Sequence, residues 1–273
     1  MKNLSFPRIL NHGPARILRS IIIIALVVTG ASAASTLFAE SKVHMLLVKI
    51  EKLQEMTSDV RAKVVITQQK TGQGIKNIEM IYYRRDSDDS FLIVMTAPEV
   101  DKGNGYLRVK DNFWMYRRNT RTFQHINRDE NIGGSGAHAE DFEKRKLTEL
   151  YAPALDASNN EVLAEEVLGK IPVYRFEVTA KVNDVDYPRK TYWVRRDNYL
   201  PLKEQSYSMS GTLMETAYYL NYTIVDGRYV AVKMMFIDEF EKGNKTLVEI
   251  SGISTQKLDN SIFEKTYLEN LSK

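Results

Sequence analysis

Three histidines follow the first 39 residues, His44, His125 and His138, and they fall in a helical pattern, a strand pattern and a loop, with none of the paired spacings that metal sites use. The adjacent carboxylates Asp88-Asp89 and Glu165-Glu166 sit at turns or strand ends, where solvated charge is the ordinary outcome. Cysteine is absent, and so is any Gly-x-Ser-x-Gly elbow, so no nucleophile with its base can be assembled. These residues exclude a recognisable enzyme or metal protein. They call for no cofactor and no catalytic residue. What is abundant instead is adaptable apolar surface, with fifteen Tyr, ten Phe and ten Met along the chain.

One glycine-rich run, Asn131 to Ala139, leads into a short helical pattern from Glu140 to Leu147, acids first and bases last. A glycine loop entering a helix can cradle phosphate, but the Walker spacing and its Lys-Ser/Thr ending are missing. Residues 131–150 are therefore expected to form a flexible flap, the glycines permitting hinge motion.

The elements that must position any site are mostly strands. Val43, Leu46, Leu47, Ile50 and Leu53 recur at helical spacing, predicting an amphipathic helix from Lys42 to Met56. From there the period becomes two. Val60, Ala62, Val64 and Ile66 alternate with polar neighbours, Gly72 and Gly74 turn the chain, and Ile78, Met80 and Tyr82 alternate again. Phe91 to Met95 is apolar on both faces and is expected to be covered on both.

Gly105 to Ile126 reads as three short strands joined by Asp111-Asn112 and Asn119-Thr120, with Trp114 among them; it is expected at the centre of the sheet. After the flap, strand patterns run to Ser254, with Val225-Asp226-Gly227-Arg228 as a turn. Asp259 then opens a short helical ending. About eleven strands and three helices, mainly β, give one large antiparallel sheet.

The first 39 residues stand apart. Lys2, Arg8, Arg16 and Arg19 precede the apolar run Ile21 to Val28 and the small residues Gly30 to Ala34, the secretory signal pattern, with cleavage after Ala33 or Ala39. The alternative is an uncleaved inner-membrane anchor, since Ser20 to Ala39 carries no charge over a span-length stretch. Of the 38 Lys and Arg, four lie in this leader, leaving 34 against 35 Asp and Glu. The near-neutral remainder gives no reason to expect nucleic-acid binding. Residues 40–273 are expected to form a single exported domain without disulfides, folding on its apolar core.

Several stretches taken in order resemble the LolA-like outer-membrane lipoprotein-sorting family. They are Lys102-Gly103 with Leu107-Arg108, Trp114 and Tyr116; Trp193-Val194 with Tyr199 to Lys203; Gly211-Thr212-Leu213; Asp226-Gly227 with Tyr229-Val230; and Ser261-Ile262-Phe263 with Lys265 and Tyr267 to Glu269. The resemblance implies an open antiparallel half-barrel of about eleven strands with a helical lid. It also implies a periplasmic carrier that shields the acyl chains of lipoproteins or lipids between an inner-membrane donor complex and an outer-membrane acceptor.

The chain departs from that pattern at Gly133 to Ala139, where family members often carry a Met- and Phe-rich loop before the Glu140-Asp141 pair. On this reading Met80, Tyr82, Ile93, Met95, Trp114, Tyr116, Met234 and Phe236 are candidates for the cavity lining. Leu46, Leu47 and Ile50 of the first helix, with Phe142 of the flap, are candidates for the lid. A rival reading on the same fold is a periplasmic or membrane-tethered sensor, or a transporter-associated lipid-binding module.

Overall fold

Alternation of period two on both sides of residues 131–150 produces strands that pair with their sequence neighbours. The computed structural model describes residues 41–127, 132 and 145–271. The leader, His138, most of the glycine-rich flap and Phe142 lie outside the described residues.

Helix α1 (Lys42–Gln54) is followed by strands β1 (Val60–Lys70), β2 (Gly74–Arg85), β3 (Ser90–Ala97), β4 (Gly105–Val109), β5 (Asn112–Arg117) and β6 (Thr122–His125). A short helix α2 (Leu147–Leu150) leads to β7 (Tyr151–Pro153), β8 (Leu163–Leu168), β9 (Ile171–Ala180) and β10 (Arg189–Arg195). Then come β11 (Pro201–Tyr207), β12 (Leu213–Val225), β13 (Arg228–Asp238) and β14 (Lys245–Ser254). A 3-10 turn at Asn260–Phe263 and helix α3 (Lys265–Leu271) close the chain.

The strands form one open antiparallel sheet in the order β6-β5-β4-β3-β2-β1-β14-β13-β12-β11-β10-β9-β7, with β8 also paired to β9. The fold class is as expected from sequence, a mainly β chain with a few helices and a sheet that does not close into a barrel. Two details differ. There are fourteen strands among the described residues rather than about eleven. The Gly105–Ile126 meander lies at one edge of the sheet, not at its centre. Tight turns fix which strands are neighbours, but only the pairing of β1 with β14 decides where the middle falls.

Directly opposed residues of antiparallel strands share a face. The cross-strand row Ile78–Ile66–Val248–Met234–Tyr219 therefore marks one face, and Met115–Tyr106–Ile93–Tyr82–Ala62 continues it. We call this the inner face, because α1 packs on it. Ser41 caps α1 by accepting from the His44 amide at 2.9 Å, and Val43, Leu46, Leu47 and Ile50 are buried against Phe176, Val178, Tyr192 and Val194.

The outer face of β2–β5 carries Tyr83, Leu92, Leu107 and Tyr116, covered by Leu258, Phe263 and Leu268 of the C-terminal segment. Strand β3 is thus enclosed on both sides, Phe91, Ile93 and Met95 inward and Leu92 outward, as its unbroken apolar run predicts.

Gly105 is what lets that C-terminal segment approach. The space a Cβ would need there is occupied by the Leu268 side chain. Gly105→Ala is expected to cost about 1–3 kcal/mol through overpacking. Adding Leu268→Ala makes room, so the double variant loses less than the two single losses combined in urea unfolding.

Candidate functional site

The inner face is filled at both flanks and open between them. On one flank Ile78, Met80, Phe91, Ile93, Met95, Tyr106 and Phe113 pack with Ile126 and Ile132. On the other, α1 covers β9 and β10. Between them, every residue of β13 is only half-buried and no residue of β14 is buried, although both strands sit in the middle of the sheet. Interior strands are ordinarily the best covered, so this gap is informative.

A cavity of about 710 Å³ occupies it. Its floor is Val64, Ile66, Met80, Tyr82, Met214, Met234, Phe236, Val248 and Ile250. Its mouth is at the end of the sheet where β1 and β13 finish, among Lys70, Asp186, Tyr187, Glu215, Asp238, Phe240 and Lys245. The volume lies within the range of roughly 300–1,000 Å³ typical of small-molecule pockets. The hydrogen bonds from the Phe240 and Glu241 amides to Asp238 Oδ1, at 3.0 and 2.7 Å, shape the turn beside the mouth.

Tyr82 and Tyr187 are the phenols of this lining. Burial raises the pKa of Tyr82, the Arg84 charge opposing it in part. Burial, reinforced by the carboxylates of Glu215, Asp186 and Asp238, pushes Tyr187 up to about 12. Both hydroxyls are therefore neutral donors at ordinary pH.

Toward β10 the inner face turns polar. Lys190 Nζ contacts Glu204 Oε1 at 2.6 Å, with side-chain exposures of 19% and 12%. Tyr219 donates to Glu204 Oε2 at 3.3 Å, and the ammonium lies over the rings of Tyr151 and Tyr187. Burial works against the charge on Lys190, and Glu204 with the surrounding tyrosines outweighs it, holding the pKa well above that of an ordinary lysine. Burial also raises Tyr192 and Tyr219, with Glu204 adding to it. This network borders the cavity and satisfies its own charges.

The expected lining divides. Met80, Tyr82, Met234 and Phe236 are brought together in the cavity. Ile93 and Met95 share the inner face but are buried in the packed flank. Trp114 and Tyr116 are on the outer face. Trp114 opposes Leu107 and lies under Lys265, whose Nζ is 4.3 Å from the ring, and Tyr116 is fully buried beside Phe123. The inward residues of β5 are its neighbours Phe113 and Met115.

Leu46, Leu47 and Ile50 are buried in the α1 contact rather than over the cavity floor, and Phe142 lies outside the described residues. Missed in the sequence were Val64, Ile66, Val248 and Ile250. The alternation in β1 was a usable signal for the first two. Nothing local marks Lys190 and Glu204, which meet only through strand pairing. Among the described residues no three His, Asp or Glu side chains are placed to hold a metal ion. No described helix is long and apolar enough to cross a membrane.

A family model described as that of an uncharacterized protein matches residues 87–270. No curated protein matches the sequence. Solved structures that share the fold include the following three. One is described as an outer-membrane lipoprotein-sorting protein domain from Vibrio parahaemolyticus, with 18% identity, TM-score 0.69, and coverage of 83% of this chain and 97% of the other. The second is a DUF1329 family protein from Desulfovibrio piger, with 21% identity, TM-score 0.69, and coverage of 82% and 97%. The third is a LolA superfamily protein from Nitrosomonas europaea, with 19% identity, TM-score 0.65, and coverage of 82% and 97%.

Glu204→Gln leaves Lys190 without its counter-charge and is expected to destabilise the protein by about 3–5 kcal/mol, whereas Lys190→Met with Glu204→Leu recovers most of the loss in urea unfolding. Lys190 and Tyr187 both hold their protons more tightly folded than unfolded. The Tyr187 contribution is complete below pH 10, the ordinary tyrosine value, and falls as pH rises through about 12, while that of Lys190 falls only at a pH well above the ordinary lysine range. Alkaline titration should therefore show unfolding and tyrosinate absorbance appearing together.

Proposed function

The chain belongs to the family whose model spans residues 87–270 and has the LolA-like fold, and from that premise we propose that it is a carrier for the acyl chains of lipids or lipoproteins. The observation that supports this reading is the uncovered middle of the inner face, where two central strands border an apolar cavity that opens at one end of the sheet. Binding here needs no reaction. Each methylene shielded from water contributes about 0.8 kcal/mol, so a dozen buried methylenes give about 10 kcal/mol.

A carrier must also let go, and release requires something that competes for the same apolar surface. The flap at 131–150 is our choice for that competitor. Its residue Ile132 is fully buried against the inner-face cluster that contributes Val64, Ile66 and Met80 to the cavity. In this reading residues 1–39 direct the chain to the periplasm. Cargo is received from an inner-membrane donor complex and given to an outer-membrane acceptor, and the apolar lining rather than a catalytic group does the work. Met with Phe and Tyr suits cargo of varied chain length, because the thioether side chain repacks at small cost.

Protein purified from cells is expected to carry extractable lipid or acylated peptide, identified by mass spectrometry. Met234→Asp and Phe236→Asp should each lower the bound amount about tenfold or more, a loss of at least about 1.4 kcal/mol. Trp114→Phe, on the outer face, should leave it unchanged. Absence of acyl cargo from the folded parent protein would overturn the proposal.

A further inference from the structure

Antiparallel strands return their turns alternately to two ends of the sheet, and the end that holds the cavity mouth differs in surface chemistry. The β1–β2 turn, the β3–β4 loop, the β5–β6 turn, the β9–β10 loop with Asp184 and Asp186, the β11–β12 turn and the β13–β14 turn all lie there. Four of them present a large apolar residue to solvent. Val100 is 85% exposed, Ile75 68%, Phe240 67% and Met209 88%. Among the described residues only Val167 and Ile224 do the same at or near the turns of the opposite end.

Cations accompany the Ile75 and Val100 tips, while Phe240 lies among Asp238, Glu239, Glu241 and Lys242 beside the mouth. Residues 70–76, 98–104 and 117–122, neighbours along this rim, contain Lys70, Lys76, Lys102, Arg117, Arg118 and Arg121 against Glu99 and Asp101 alone. Arg117, Arg118 and Arg121 have no ion pair among the described residues. With Lys102 and Val100 they surround a hollow of about 540 Å³.

The rim is also held in shape. The Arg118 amide donates to Asn104 Oδ1 at 3.0 Å, tying the β3–β4 loop to the β5–β6 turn. The Thr71 amide donates to Asn244 Oδ1 at 2.9 Å and its hydroxyl to the Lys242 carbonyl at 3.0 Å, tying the β1–β2 and β13–β14 turns. Fixed apolar tips beside a turn whose three guanidinium groups have no ion pair among the described residues match an interface whose surface is anionic and whose interior is hydrocarbon.

We propose that this rim is a docking surface for an anionic phospholipid bilayer, which brings the cavity mouth against the membrane. An acidic protein face would satisfy the arginines but would give no reason for apolar tips spread over four separate turns. The docking rests on the carrier reading only for its purpose, and the two are separable by experiment. A docked rim places an acyl chain leaving the bilayer directly at the cavity entrance.

The test is co-sedimentation of the full protein, as purified from cells, with vesicles of phosphatidylglycerol and phosphatidylethanolamine or of phosphatidylcholine alone. Binding is expected to favour the anionic vesicles and to weaken as salt shortens the range of the charges. Arg117→Ser, Arg118→Ser and Arg121→Asn in one chain should lower partitioning roughly a hundredfold, about fivefold per arginine. Ile75→Ser with Val100→Ser and Phe240→Ser should weaken binding while keeping its salt dependence.

All six positions are on the surface, and circular dichroism checks that the variants fold. Met234→Asp should still bind vesicles while losing cargo. Vesicle binding with no cargo in the parent overturns the carrier reading and leaves the docking intact. Equal binding to neutral and anionic vesicles, unchanged binding of the arginine variant, or association with a protein but not with vesicles overturns the docking proposal.

Discussion

The pairing of β1 with β14 is the constraint on which the molecule depends. Val64 opposes Ile250 and Ile66 opposes Val248, so segments from opposite ends of the chain become neighbours at the middle of the sheet. Without this ladder the two meanders, β1 to β6 and β7 to β14, would be separate sheets, each with an exposed edge. The register carries as much weight as the pairing. A shift by one residue would turn Val64 and Ile66 outward and bring Lys63 and Val65 onto the inner face, placing a charge on the cavity floor.

The two faces are finished by different means, and the difference locates the cavity. The outer face of β2–β5 is sealed by the C-terminal segment, which depends on the absence of a side chain at Gly105. The inner face is sealed at one flank by its own large side chains and at the other by α1. Between α1 and the seam stands the Lys190–Glu204 pair with its tyrosines, a polar boundary whose charges are matched internally. The boundary confines the apolar region to the junction of the two halves.

Much of this was legible in the sequence because period two is a local signal. The helix at Lys42, the alternations in β1, β2 and β13, the Asp226-Gly227 turn and the double-sided burial of β3 each follow from a few consecutive residues. The Asp226-Gly227 turn takes positive φ at both positions, 47° and 73°, as a tight hairpin between twisted strands requires. Trp114 shows where such reasoning stops. Parity groups it with Tyr116 and separates both from Met115, but parity cannot say which group faces inward. That is decided by Leu107, Leu92 and Tyr83 across three strands and by Leu268 at the far end of the chain. The position of the meander at an edge and the meeting of Lys190 with Glu204 are long-range facts of the same kind.

The uncovered centre bears most directly on function. A sheet of this length could have been closed by extending α1 or by larger residues on β13 and β14, and the flank formed by Phe91, Ile93 and Tyr106 shows that the chain can build such packing. Instead Met234, Phe236, Val248 and Ile250 stay half-buried in the middle of the order, where solvation of their apolar surface costs stability. Their gain is realised only when something apolar occupies the space. The stability given up in the empty state is thus regained when an apolar occupant fills the space. An open cavity between two packed flanks is apolar surface whose burial is left to an occupant.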